Sequence, residues 1–137
     1  MNKSEKLCSV TLRIASNNHS ANDISLQMGV DATELYELGE LISSRSPIPH
    51  YRKESMWLLK SDVAEEHPLE EHIEALLSFV ETKEKAIKLL KLECDIEAFC
   101  CFSSDNGQGG FVLDNVLLEK MAQSTIDFVF DLYLYEE

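Results

Sequence analysis

Three stretches of this chain alternate apolar and polar residues with a period of two, and that alternation constrains the fold more than any other feature. From Leu7 to Ile14, Cys8, Val10, Leu12 and Ile14 interleave with Ser9, Thr11 and Arg13. From Asp95 to Ser103, Ile96, Ala98, Cys100 and Phe102 share one face, and Glu97, Phe99 and Cys101 the other. From Ile126 to Tyr135, Phe128, Phe130, Leu132 and Leu134 oppose Asp127, Val129, Asp131, Tyr133 and Tyr135. Successive strand side chains point to opposite faces, so each stretch reads as a strand with one core face and one face left for another use.

Helical periods separate these strands. After the loop Asn17–Ser20, Asn22 can cap a short helix carrying Ile24, Leu26 and Met28, which stops at Gly29. Pro68 suits a first helical turn, Glu70 and Glu71 favour the positive end of the helix dipole, and Leu69, Ile73, Leu76, Leu77 and Val80 form one apolar stripe. A second helical piece turns Ala86, Ile87 and Leu90 inward and Lys83, Lys85, Lys88 and Lys91 mostly outward. Asp114 can cap a last helix bearing Val116, Leu117 and Met121.

Thr33 to Ile42 admits a helix, which Gly39 interrupts, or a strand on which Leu35, Glu37 and Gly39 sit, and strand is the favoured reading. Ser43 to Lys53, with Pro47 and Pro49, reads as a loop before the strand Met56–Ser61, which Trp57 anchors in the core. Asn106–Gly107 and Gly109–Gly110 mark a hairpin turn, after which Phe111 to Leu113 resume an extended path. The expected architecture is one α+β domain over residues 1–137. It has a mostly antiparallel sheet of about five strands flanked by helices, and a ferredoxin-like sandwich is the specific expectation.

Charge narrows the function classes. The 137 residues include 25 Asp and Glu against 12 Lys and Arg, a net charge of −13. A surface this acidic repels nucleic acid and anionic membrane and attracts basic proteins. Met1 to Lys6 are polar with no apolar signal core behind them, and no long apolar run follows, so a cytoplasmic location is expected. Cys8, Cys94, Cys100 and Cys101 include no CxxC pair and lie in strand-like stretches, which suits reduced thiols packed as small hydrophobes. Cys100 and Cys101, being adjacent, point to opposite faces.

No pattern assigns catalysis, a cofactor or a metal. Asp62, Glu65, Glu66, Glu70, Glu71 and Glu74 are abundant carboxylates, but nothing in their spacing holds two of them across a cleft. Of His19, His50, His67 and His72, the last two are five apart, away from the i, i+4 geometry of a zinc pair. The Gly107–Gly110 cluster lacks the lysine and spacing of a phosphate loop.

With these residues in view, the chain resembles, nearly end to end, the bacterial family known as domain of unknown function 4279. The resemblance rests on Ser9–Val10–Thr11–Leu12–Arg13–Ile14, Gly39–Glu40, Trp57 with Ser61, Leu69–Glu70–Glu71–His72–Ile73, Gly107–Gln108–Gly109–Gly110–Phe111 and Phe130–Asp131–Leu132–Tyr133, in that order. It implies an α+β fold and no established chemistry. Small acidic proteins of this size include immunity partners of bacterial toxins, which is an analogy of type that these motifs do not carry.

The expected function is therefore binding rather than catalysis. Glu97, Phe99, Asp127, Asp131, Tyr133 and Tyr135, on the outward faces of two strands, combine aromatic anchors with acids and suit a basic protein surface. The run Asp62–Glu74 is a second candidate, since its six acids face no Lys or Arg. Glu65, Glu66 and Glu70 could there mimic nucleic acid before a basic toxin nuclease. An immunity or inhibitor protein is the leading expectation. The alternatives are a small-ligand-binding or regulatory domain, or a weak enzyme, with a pocket between sheet and helices, and a structural homodimer.

Overall fold

The computed structural model describes residues 5–43 and 45–135; the polar start from Met1 to Ser4 lies outside them. Its elements run β1 (Lys6–Ser16), α1 (Ala21–Met28), β2 (Glu34–Tyr36), β3 (Ser55–Lys60), α2 (Leu69–Thr82), α3 (Glu84–Leu90), β4 (Asp95–Ser104), α4 (Asn115–Gln123) and β5 (Asp127–Leu134). The five strands form one open, mostly antiparallel sheet in the order β2-β3-β1-β4-β5. Read as far as β4, with α2 and α3 as one crossover, this is the β-α-β-β-α-β arrangement of ferredoxin-like folds, β1 and β3 being central. α4 then carries the chain to β5, which lies parallel to β4, as a helical crossover requires.

Contacts group the chain into two compact units. The first comprises residues 1–12, 60–82 and 97–137. Here the alternation acts as the sequence leads one to expect: Cys8, Val10 and Leu12 of β1 and Ala98, Cys100, Phe102 and Ser104 of β4 are buried, while their odd-numbered neighbours are only half-buried. α2 buries Leu69, His72, Ile73, Leu76, Leu77 and Val80 and touches α4, which buries Leu117 and Met121. Asp114 caps α4, its carboxylate accepting from the Leu117 N–H at 2.8 Å. Phe111 stacks on Phe130 with ring centroids 5.5 Å apart and tilts against Phe102 at 5.6 Å.

The second unit comprises residues 13–59 and 83–96. Ile14, Ala15, Ala21, Ile24, Met28, Trp57, Ile87, Leu90, Cys94 and Ile96 are its buried apolar residues. Trp57 is fully buried, and its indole N–H donates to Ser25 Oγ at 3.3 Å. Gly29 ends α1 in the left-handed region at φ 72°, as the stop signal requires.

Three expectations change. Ser20, not Asn22, caps α1: its hydroxyl accepts from the Asp23 N–H at 3.0 Å, and the Glu37 carboxylate takes the Ala21 N–H at 2.6 Å. The Thr33–Ile42 strand shrinks to the three residues of β2 paired antiparallel with β3, because Gly39 (φ 90°) turns the chain and leaves a lone Leu41–Tyr51 bridge beyond it. The glycine cluster does not close a hairpin. Gly107 and Gly109 take positive φ in a turn that delivers the chain to α4, and Phe111–Leu113 join no strand.

Candidate functional site

The parallel β4–β5 ladder, wholly within the first unit, brings most of the expected binding residues together. Its register pairs Glu97 with Asp127, Phe99 with Val129, Cys101 with Asp131 and Ser103 with Tyr133. Cross-strand partners share a face, so two files of side chains stand side by side on the face opposite the buried one. Glu97, Phe99, Cys101 and Ser103 are half-buried; Asp127, Asp131, Tyr133 and Tyr135 are exposed. The face thus grades from a sheltered file on β4 to an open one on β5.

Local hydrogen bonds shape its electrostatics. The Tyr133 hydroxyl donates to Asp131 at 2.7 Å, and that carboxylate pushes the phenol up from its ordinary range. Burial, and after it the Asp131 charge, pushes the Cys101 thiol up as well. Burial, and after it the neighbouring Cys101, takes Cys100, on the other face, to about 12, so neither neighbour is an activated nucleophile. All four cysteines are free thiols.

A depression of about 270 Å³ opens at one end of this face, lined by Leu7, Cys8, Ser9, Glu65, Cys101, Ser103, Tyr133 and Tyr135. Its outer wall comes from the loop after β3, held there by the Cys8 N–H donating to the Glu65 carbonyl at 2.8 Å. Glu65 therefore joins the aromatic face. The two surfaces that the sequence presents as separate candidates meet at this residue.

The acidic run is not free of bases. Glu65 pairs with Lys60 at 2.9 Å, and Glu74 pairs with Lys120 at 3.3 Å. Lys60 sits just before the run in sequence, whereas Lys120 is brought to it only by the fold. The Lys60 hydrogen bond holds the Glu65 carboxyl below its usual range. Glu66 is exposed. Glu70 is half-buried, with its Oε1 buried and without a hydrogen-bond partner among the described residues, and its charge adds to the burial that raises the Cys8 thiol.

Sequence reasoning missed Ser61 and His72 as a pair. Ser61 Oγ lies 2.7 Å from His72 Nδ1, a nucleophile–base distance. His72 is fully buried, burial is the largest cause lowering its pKa, and its Nε2 makes no hydrogen bond of ordinary geometry among the described residues. The amphipathic pattern of α2 would admit a histidine on its inner stripe. It carries no sign of the partner eleven residues earlier.

The second unit holds its own depression, of about 330 Å³, beside Ser16, Asn18, Glu54, Lys91, Glu93 and Asp95. Ser16 Oγ accepts from the Asn18 and His19 N–H groups at 3.0 Å, and the His19 ring meets the Glu93 carboxylate. These polar groups satisfy one another. Among the described residues, no three His, Cys, Asp or Glu are grouped to hold a metal ion, and no helix is long and apolar enough to cross a membrane.

Compared with known proteins, residues 6–135 match the model of a family described as Domain of unknown function (DUF4279). No curated protein and no solved structure matches the chain.

Proposed function

This chain belongs to the DUF4279 family, a domain of unknown function, and from that premise we propose that it is a non-enzymatic binding protein that docks a basic protein partner. In its most specific form it is a cytoplasmic immunity or inhibitor protein that neutralises a basic bacterial toxin or nuclease. One observation carries the reading: Glu97, Phe99, Asp127, Asp131 and Tyr133 lie on one face of two adjacent strands, in register, beside Tyr135 and Glu65. Aromatic anchors ringed by acids are what a basic surface needs for both burial and charge complementarity. The net charge of −13 supports it by steering cationic partners.

The test is capture of partners from the source lysate by the tagged protein, in low salt and in ~0.5 M salt, where the screening length falls to about 4 Å. The expected result is one basic protein held in stoichiometric amount at low salt, weakened at high salt, and lost with Asp131→Lys, Tyr133→Ala. Undiminished capture by that double variant would remove this face from the interaction.

The depression beside Tyr133 and Tyr135 favours a second reading, recognition of a small ligand. At about 270 Å³ it falls just below the ~300–1,000 Å³ typical of ligand cavities. Protein docking therefore leads.

A further inference from the structure

β5 ends the sheet on one side, and its backbone is built to take another strand. In a parallel ladder, alternate residues turn both their N–H and C=O toward the same neighbour. The Tyr135 N–H donates to the Ser104 carbonyl at 3.0 Å, which assigns the odd-numbered residues of β5 to β4. Phe128, Phe130, Leu132 and Leu134 then turn their backbone groups outward, where no strand follows among the described residues.

Natural sheets blunt such edges with shortness, charged side chains, lysine above all, proline, a bulge or a covering helix or loop. The opposite edge, β2, is three residues long. β5 runs for eight residues without lysine or proline, and Leu132, Tyr133 and Leu134 are all exposed. Its side chains state the chemistry of the strand it would accept. Asp127 and Asp131 stand on one face, and Leu132 and Leu134 on the other.

We propose that the outer edge of β5 receives an extended segment of a basic protein as a sixth strand. Lysines or arginines at alternate positions lie beside Asp127 and Asp131, and apolar residues between them lie beside Leu132 and Leu134. This rests on the docking reading and adds how the partner is held, by main-chain hydrogen bonds along an edge. Charge decides between occupants. A second copy would bring two bodies of −13 together and set four aspartates on one face, whereas a basic strand neutralises them.

The experiment follows amide exchange by NMR in the whole protein with three synthetic peptides: lysine and valine alternating over about eight residues, the same residues in two blocks, and the alternating peptide N-methylated along one edge. The alternating peptide is expected to bind about tenfold tighter than the other two and to slow exchange at Phe130, Leu132 and Leu134 selectively. Leu132→Pro removes an outward N–H while leaving the hydrogen bonds to β4 their donors, and is expected to abolish that preference. If this variant fails to fold, the N-methylated peptide makes the same comparison on the wild-type protein.

Equal salt-sensitive binding of all three peptides, with the even-numbered amides unprotected, would overturn strand addition and leave the acidic docking face standing. No binding of any peptide at low salt would overturn both. Protection of those amides in the protein alone, growing with its concentration, would show a second copy on the edge and overturn the basic occupant.

Discussion

Cys101 and Asp131 are direct partners across the parallel β4–β5 ladder, so a thiol and a carboxylate stand side by side on the half-open face. Burial is the larger cause of the raised Cys101 pKa and Asp131 the next, with Lys60 opposing them. Asp131→Asn should therefore lower the Cys101 pKa, raise its thiolate population and speed its alkylation at pH 8. Mass spectrometry of the modified peptide reads the rate. An unchanged rate would mean that the carboxylate does not face the thiol.

The cap of α1 gives a clean pair of variants. Ser20→Ala should cost about 1 kcal/mol in urea unfolding, since it orphans the Asp23 N–H that the hydroxyl now satisfies. Asn22→Ala, at an exposed position inside the helix, should stay within about 0.5 kcal/mol of wild type. Equal losses would return the cap to Asn22.

Trp57 is the chain's single tryptophan and is fully buried. Trp57→Ala should cost about 3–5 kcal/mol through the cavity it leaves. Ser25→Ala should cost about 1 kcal/mol by leaving the indole N–H without its acceptor. Red-shifted fluorescence on unfolding reports both midpoints in proteins that keep Trp57, and circular dichroism serves the alanine variant.

His72 makes stability depend on pH. Burial depresses its pKa in the folded protein below the ordinary 6.5, with the Ala64 and His67 carbonyls and Glu71 opposing and the His67 charge assisting. As pH falls below 6.5, the unfolded chain takes up a proton that the folded chain refuses, so stability present above that pH is lost on acidification toward the lower folded value. Comparing urea midpoints at pH 7.5 and 5.5, the loss should be smaller in His72→Gln than in wild type. An equal loss in both would assign the acid sensitivity to other groups.

Local patterns foretold much of the architecture. The alternation of β1 and β4 and the apolar stripe of α2 are properties of consecutive residues, so the buried face of each was legible residue by residue. On β5 the alternation marked two faces, but Phe128 and Phe130 are only half-buried and Leu132 and Leu134 are exposed, because an edge strand has no neighbour on its outer side. Thr33–Ile42 failed because a single Gly39 in the left-handed region outweighs a string of residues with modest strand preference. The glycine turn after β4 failed for another reason. A turn signal says that the chain changes direction, not whether the next strand is reached at once or through a helix.

The sequence by itself determined which side chains share a face within each strand and that the surface carries an excess of acid, because both follow from residue order and count. Only tertiary structure decided that β4 and β5 run parallel in the register that sets Cys101 beside Asp131, that Lys120 reaches the acidic run, that Ser61 meets the buried His72, and that β5 is left at an edge. Those are pairings between residues distant along the chain. They are selected by how the whole set of apolar faces can be buried at once, a choice that no local window of sequence contains.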